Sequence, residues 1–224
     1  MKVVFIVLAA GLGKRFGGKI PKQFQQLRGR SLLERTLRKL SRALWAHDVV
    51  VAVPRSYARL DGIVKGLPRA FWNKVKVVDG GKTRFHSLLN ALEVCQSPDF
   101  VFVHDAARPN WDVKGARRML EVLKKDKKAS AVIPLLKIRE TVKRVNSKIQ
   151  TIRRREELYT SQTPQLVRFQ NFMAAIKKAG QRENFLDEAE ILENAKLKVL
   201  AFPGDPLNIK VTYPQDMNLV ISNR

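Results

Sequence analysis

The stretch VVFIVLAAGLGKRFGGKIPKQF, residues 3–24, decides how this chain is read. An apolar run over residues 3–8 stops at Ala9-Ala10-Gly11, and the cations Lys14, Arg15, Lys19, Lys22 and Arg28 follow. A buried strand that runs into a turn of small residues lets a ligand touch the backbone, because no side chain stands in the way. Cations just beyond such a turn suit a polyphosphate. Two familiar phosphate loops are excluded. Gly13-Lys14 is followed by Arg15, so the magnesium-binding hydroxyl of a Walker loop is missing. Gly11 and Gly13 are followed by Phe16 where the dinucleotide fingerprint needs a third glycine.

Outward from this stretch, apolar runs alternate with helical patterns. Residues 49–53, 75–78, 100–103 and 131–136 read as buried strands rich in β-branched residues. Residues 31–44 place Leu32, Leu33, Thr36, Leu37, Leu40 and Leu44 on one helical face, and residues 84–95 and 114–125 behave similarly. Strand–helix alternation predicts a Rossmann-like α/β fold: a mostly parallel sheet flanked by helices, with ligand chemistry at the carboxyl ends of the strands.

Residues 137–155, KIRETVKRVNSKIQTIRRR, break the pattern with eight Lys/Arg against one acidic residue. The apolar Val142, Val145, Ile149 and Ile152 flank a turn-like Asn146-Ser147, which predicts a two-stranded β-arm. An isolated hairpin is barely stable, so the arm is expected to protrude and pack on another surface such as a second subunit.

The length of 224 residues fits a single domain with this arm as its appendage. No run of apolar residues is long enough for a membrane helix, and the N-terminal run has no signal-peptide cleavage region. The single cysteine, Cys95, excludes an intrachain disulfide and fits the cytoplasm. His47, His86 and His104 lack zinc-ligand spacing. The net charge of +23 suits either an RNA-binding surface or a solvated cationic one that draws in anionic substrates. The excess is dispersed along the chain, and no nucleic-acid-reading motif accompanies it.

Four further motifs carry chemistry. FVFVHDAARP (100–109) ends a strand in Asp105, two small residues and Arg108. The carboxylate can hold a ribose hydroxyl, a metal or a substrate hydroxyl, and the guanidinium can clamp a phosphate. DGGKTRFHS (79–87) is a glycine loop opening a helix, with backbone amides free to read a base or phosphate. TSQTPQ (160–165) and NIKVT (208–212) complete the set.

These stretches, in this order, resemble the 2-C-methyl-D-erythritol 4-phosphate cytidylyltransferase family nearly end to end. AAGxGxR alone marks sugar nucleotidyltransferases in general; its combination with PKQ, VDGG, HDAARP, TPQ and NIKVT is more specific. The resemblance implies transfer of CMP from CTP to 2-C-methyl-D-erythritol 4-phosphate, with pyrophosphate released, in the non-mevalonate isoprenoid pathway. It implies Arg15, Lys22 and Lys210 as catalytic cations and magnesium (Mg2+) as cofactor, with Asp105 its one candidate ligand. The nucleotide would be held by Ala9, Ala10, Gly11, Gly13, Gly81, Ser87, Asp105 and Ala106. The acceptor, a sugar-alcohol phosphate, would be bound by Arg108, Arg155, Thr163 and Thr141, the last from the neighbouring subunit of a homodimer. Neither a membrane nor a nucleic acid is then an expected partner. Lys82 stands where the family often carries an acid, Lys14 replaces an arginine, and Glu156-Glu157 follows Arg155 unlike in some relatives. The competing readings are a ribitol-5-phosphate cytidylyltransferase, an RNA-binding protein and a non-catalytic nucleotide sensor.

Overall fold

The computed structural model describes residues 1–13, 15–57, 60, 66–180 and 182–221. The apolar run forms β1 (Val3–Leu8), every residue of which is buried. A short hairpin, β2 (Gln26–Leu27) and β3 (Arg30–Ser31), leads into α1 (Leu32–Leu40). There follow β4 (Asp48–Val53), α2 (Arg69–Trp72), β5 (Val75–Asp79), α3 (Arg84–Glu93), β6 (Phe100–Asp105), α4 (Val113–Lys125) and β7 (Ala131–Lys137). The arm supplies β8 (Lys143–Val145) and β9 (Ile149–Thr151). The chain then returns through β10 (Tyr159–Ser161), β11 (Gln165–Arg168), α5 (Phe169–Ala179), α6 (Glu188–Asn194), β12 (Val199–Pro203) and α7 (Asp216–Ile221).

The main sheet has eight strands in the order β10-β7-β11-β6-β1-β4-β5, with β12 paired to β7. Strands β6, β1, β4 and β5 are mutually parallel, as is the β12–β7 pair. Strands β10 and β11 run antiparallel to their neighbours. The expected mostly parallel, Rossmann-like sheet is therefore present. Among the described residues no helix is long and apolar enough to cross a membrane.

Alternation along β1 explains why all of it is buried. Val3, Phe5 and Val7 pack with Leu33, Leu37 and Leu40 of α1 and with Met119, Leu120 and Leu123 of α4. Val4, Ile6 and Leu8 pack on the other face with Leu88 and Leu92 of α3, Phe172 of α5 and Ile191 of α6. Each such buried side chain contributes about 1.5–3 kcal/mol. Helix starts follow the polar residue before each apolar run. Ser31 accepts from the Glu34 amide, Thr83 from that of His86 and Asp112 from those of Lys114 and Gly115.

Leu44 departs from the expected pattern. Helix α1 ends at Leu40, and Leu44 is 83% exposed. Tight turns after Leu40 direct Ala43 and Ala46 inward, and Trp45 packs against Phe5, which throws Leu44 outward.

The arm forms where expected. Strands β8 and β9 pair antiparallel, with Val145 opposite Ile149, and those side chains are 70% and 71% exposed. Lys143 donates to Thr151 Oγ1 (2.7 Å), and Ile152 N–H to the Val142 carbonyl (2.9 Å). The hairpin leaves the sheet between β7 and β10, where Lys137 pairs with Tyr159.

Candidate active site

The chain places β4 and β5 on one side of β1 and β6 on the other. The carboxyl ends of β1 and β6 flank this reversal, and an open α/β sheet binds ligands at such a point. The register sets Leu8 beside Asp105. A cleft of about 510 Å³ opens there. It is lined by Ala9, Ala10, Gly11, Gly13, Arg15 and Lys22 from the N-terminal stretch, and by Gly81, Lys82, Arg84 and Ser87 from the glycine loop and α3. Asp105, Ala107, Lys210 and Thr212 close it.

The two small-residue turns need their small residues. A Cβ on Gly80 would lie 2.0 Å from that of Ala10, so the glycine loop rests directly on the β1 turn. Gly13 has φ +64°, and a Cβ there would touch the Lys22 side chain at 3.4 Å. Buried Gln23 fixes the turn by donating to the carbonyls of Ala9 (2.5 Å) and Gly11 (3.0 Å). Ser87 Oγ accepts from Gly81 N–H (3.0 Å) and donates to the Thr83 carbonyl (2.9 Å), so it braces the loop from within.

Asp105 is the one carboxylate among the lining residues. Its Oδ2 lies 2.6 Å from Lys210 Nζ and its Oδ1 3.2 Å from Arg84 Nε. Burial alone would raise this carboxyl, but Arg84 and Lys210 outweigh it and hold it well below the usual carboxylate range. Arg84 also grips Glu188 bidentately, at 2.7 and 3.2 Å. Burial works against the Arg84 charge, and Glu188 and Asp105 more than restore it. Lys22 donates to the Val211 carbonyl at 2.6 Å. Its pKa is lowered to about 8, first by burial and then by Lys210. The catalytic cations implied by the resemblance, Arg15, Lys22 and Lys210, thus share one cleft. Lys14 lies outside the described residues.

Behind the cleft, His104 is 1% exposed. The Asp105 N–H donates to Thr163 Oγ1 (3.0 Å), which lies 3.0 Å from His104 Nδ1, and His104 Nε2 lies 3.2 Å from the Arg108 carbonyl. The carbonyl can only accept, so Nε2 carries the proton and Nδ1 accepts from the threonine hydroxyl. Burial lowers the His104 pKa from 6.5 to about 3. The unfolded chain therefore takes up a proton that the native state refuses. The stability this residue contributes is complete above about pH 6.5 and drains as pH falls towards 3. His104→Gln is expected to flatten the acid limb of a plot of urea midpoint against pH. An unchanged slope would remove His104 from acid unfolding.

Several residues expected to contact ligands also make bonds within the protein. Thr163, expected to bind the acceptor, is 5% exposed and spends its hydroxyl on the bonds just described. Arg108, expected to clamp a phosphate, is 9% exposed. It donates to the carbonyls of Asn208 (2.8 Å) and Ser161 (3.2 Å), bracing the stretch that carries Lys210. Ala106 packs in the core at 1% exposure, and Ala107 lines the cleft in its place. Thr141 and Arg155 are exposed and outside the cleft lining, and Arg155 donates to the Arg139 carbonyl (3.0 Å).

Sequence reasoning assigned no role to Gln23, Arg84 or Glu188. Glu188 carries a readable signal: it shares the apolar face of α6 with Ile191 and Leu192, at i+3 and i+4. A carboxylate at such a position needs a buried partner.

Among the described residues no three acidic, histidine or cysteine side chains gather as a metal site. A single carboxylate completed by substrate phosphates is nonetheless a common way to hold magnesium, so Asp105 fits an ion carried in by a triphosphate.

A family model described as 2-C-methyl-D-erythritol 4-phosphate cytidylyltransferase matches residues 3–221. A protein of that name from Thermotoga neapolitana is 36% identical over 220 residues, covering 96% of this chain and 94% of that one. Another from Alteromonas mediterranea is 32% identical over 222 residues, covering 97% and 91%. The crystal structure of the Francisella tularensis enzyme of the same name superposes with a TM-score of 0.82 at 29% identity, covering 98% of each chain. Site geometry, family model and near full-length relatives agree: this chain belongs to the 2-C-methyl-D-erythritol 4-phosphate cytidylyltransferase family.

Proposed function

We infer that the chain transfers CMP from CTP to 2-C-methyl-D-erythritol 4-phosphate, forming 4-diphosphocytidyl-2-C-methyl-D-erythritol and pyrophosphate. The observation that carries this reading is the gathering of Arg15, Lys22 and Lys210 in one cleft whose single acid, Asp105, is already ion-paired. The relatives are named for methylerythritol phosphate, which favours it over ribitol phosphate as acceptor. Membership in an enzyme family likewise displaces the RNA-binding and sensor readings.

An acceptor phosphate oxygen attacks the α-phosphorus of CTP. The new P–O bond forms as the bond to the bridging oxygen breaks, and the electron pair leaves with pyrophosphate. A phosphate monoester is already anionic at neutral pH, so no general base is needed. The buried, neutral His104 agrees with this. The barrier is electrostatic: two polyanions meet, and charge shifts onto the departing pyrophosphate. Arg15, Lys22 and Lys210 supply the compensating charge. Asp105 is the residue that would hold magnesium, which would neutralise further phosphate charge. The turn over residues 9–13 and the braced Gly81–Ser87 loop cradle the nucleotide, and Asp105 faces the ribose.

The arm supports a homodimer. Its exposed Val145 and Ile149 are paired with each other and need a cover. Thr141, exposed and outside its own cleft, is placed to reach a partner's acceptor site. Deletion of residues 138–153 is expected to yield a monomer by light scattering and to cut acceptor use together. An active monomeric deletion variant would sink the composite site. The free thiol of Cys95 agrees with a cytoplasmic setting.

The deciding experiment measures pyrophosphate release from CTP and magnesium with methylerythritol 4-phosphate or ribitol 5-phosphate. Release with the first alone supports this reading. Release with ribitol phosphate alone moves the protein to another pathway. Release with neither, under conditions where CTP binds, restores the sensor.

A further inference from the structure

The cleft cations differ in what they face. Arg84 lines the cleft but spends its outer guanidinium nitrogens on Glu188, in a bidentate pair of 2.7 and 3.2 Å. Glu188 is 0% exposed. Its backbone is locked as well: Gln165 Oε1 accepts from the N–H groups of Glu188 (3.0 Å) and Ala189 (3.2 Å). Gln165 Nε2 in turn donates to Ser161 Oγ (2.8 Å) and Asp187 Oδ2 (2.9 Å). The Arg84 Nε meets Asp105 Oδ1 at 3.2 Å.

A buried ion pair adds little net stability over an apolar replacement, so stability alone does not account for it. An arginine fork in a phosphate-binding cleft is the natural bidentate clamp for a phosphate. We propose that Glu188 is a positioning residue that occupies the Arg84 fork, so that Arg84 steadies Asp105 instead of capturing pyrophosphate. Asp105 is then held from two sides, Oδ1 by Arg84 and Oδ2 by Lys210, which fixes the place of the Lys210 ammonium in the cleft. With the Arg84 fork occupied, the cleft has one guanidinium fewer to hold the leaving group, which favours its release. This rests on the cytidylyltransferase reading.

The test titrates pyrophosphate and CTP, each with magnesium, into wild-type protein and into Glu188→Gln, without acceptor, and measures steady-state turnover separately. Glu188→Gln frees the fork, so its pyrophosphate affinity is expected to rise by roughly tenfold or more. Its kcat should fall while KM for CTP does not rise. Glu188→Asp, which keeps the charge, should return pyrophosphate affinity towards wild type. Unchanged or weaker pyrophosphate binding in Glu188→Gln overturns the proposal, whatever happens to its melting temperature. If Glu188→Gln does not fold, Gln165→Ala loosens the same carboxylate. It should tighten pyrophosphate binding in the same direction, and no change there overturns the proposal equally. Absence of wild-type turnover with methylerythritol phosphate would count against the assigned reaction and leave the pyrophosphate comparison intact.

Discussion

Lys22→Ala is expected to lower kcat by about 10²–10³-fold, the usual effect of removing one aligned charge donor from a transition state. CTP affinity should change far less, because Arg15 and Lys210 remain in the same cleft. The wild-type pH profile supplies an independent check. Lys22 has a pKa of about 8, lowered first by burial and then by the neighbouring Lys210. Its depressed value means that the ammonium is lost as pH rises through about 8, so kcat/KM should fall over an alkaline limb centred there. A bound triphosphate stabilises the ammonium, so the corresponding limb in kcat should lie at higher pH. Lys22→Arg should remove the limb altogether, since a guanidinium keeps its proton. Near-normal turnover in Lys22→Ala, or a wild-type profile flat into the alkaline range, would take Lys22 out of the reaction.

Asp105→Asn should damage stability and activity together. The substitution leaves Lys210 and Arg84 facing an amide in place of their shared carboxylate. Breaking one side of a buried charge cluster costs about 3–5 kcal/mol, equivalent to a fall in Tm of roughly 6–20 °C for a domain of this size. CTP should restore more of the lost Tm in the variant than it adds to wild type, because the polyanion replaces the missing negative charge. Asp105 also raises the Lys22 pKa, so the alkaline limb of any residual activity should move to lower pH. A variant that melts and turns over like wild type would show that Asp105 does not organise these cations.

The parts of the site legible in the chain were those set by local chemistry. The strand 3–8 ending in Ala9-Ala10-Gly11 could be read because full burial and close backbone approach both leave a composition signature. Lys22 and Lys210 could be proposed from their motifs, although 188 positions separate Lys22 from Lys210 in the numbering. What each side chain touches was less legible. Arg108 and Thr163 have residue types suited to a phosphate and a hydroxyl, yet folding commits the two outer Arg108 nitrogens to Asn208 and Ser161 and the Thr163 hydroxyl to His104 and Asp105. A buried donor must find a partner, and the partners within reach depend on which strands become neighbours.

The sequence by itself determined the alternation of strands and helices, the basic arm, and the family, because periodicity, turn residues and ordered motifs are properties of neighbouring positions. The tertiary structure alone decided that β11 inserts antiparallel between β6 and β7. It alone set Gly80 against Ala10 and brought Glu188 from α6 to Arg84 at the start of α3. Those contacts join residues far apart along the chain. They exist because two apolar faces of one sheet were buried at once, and the charges between them were left to pair with whatever the packing brought near.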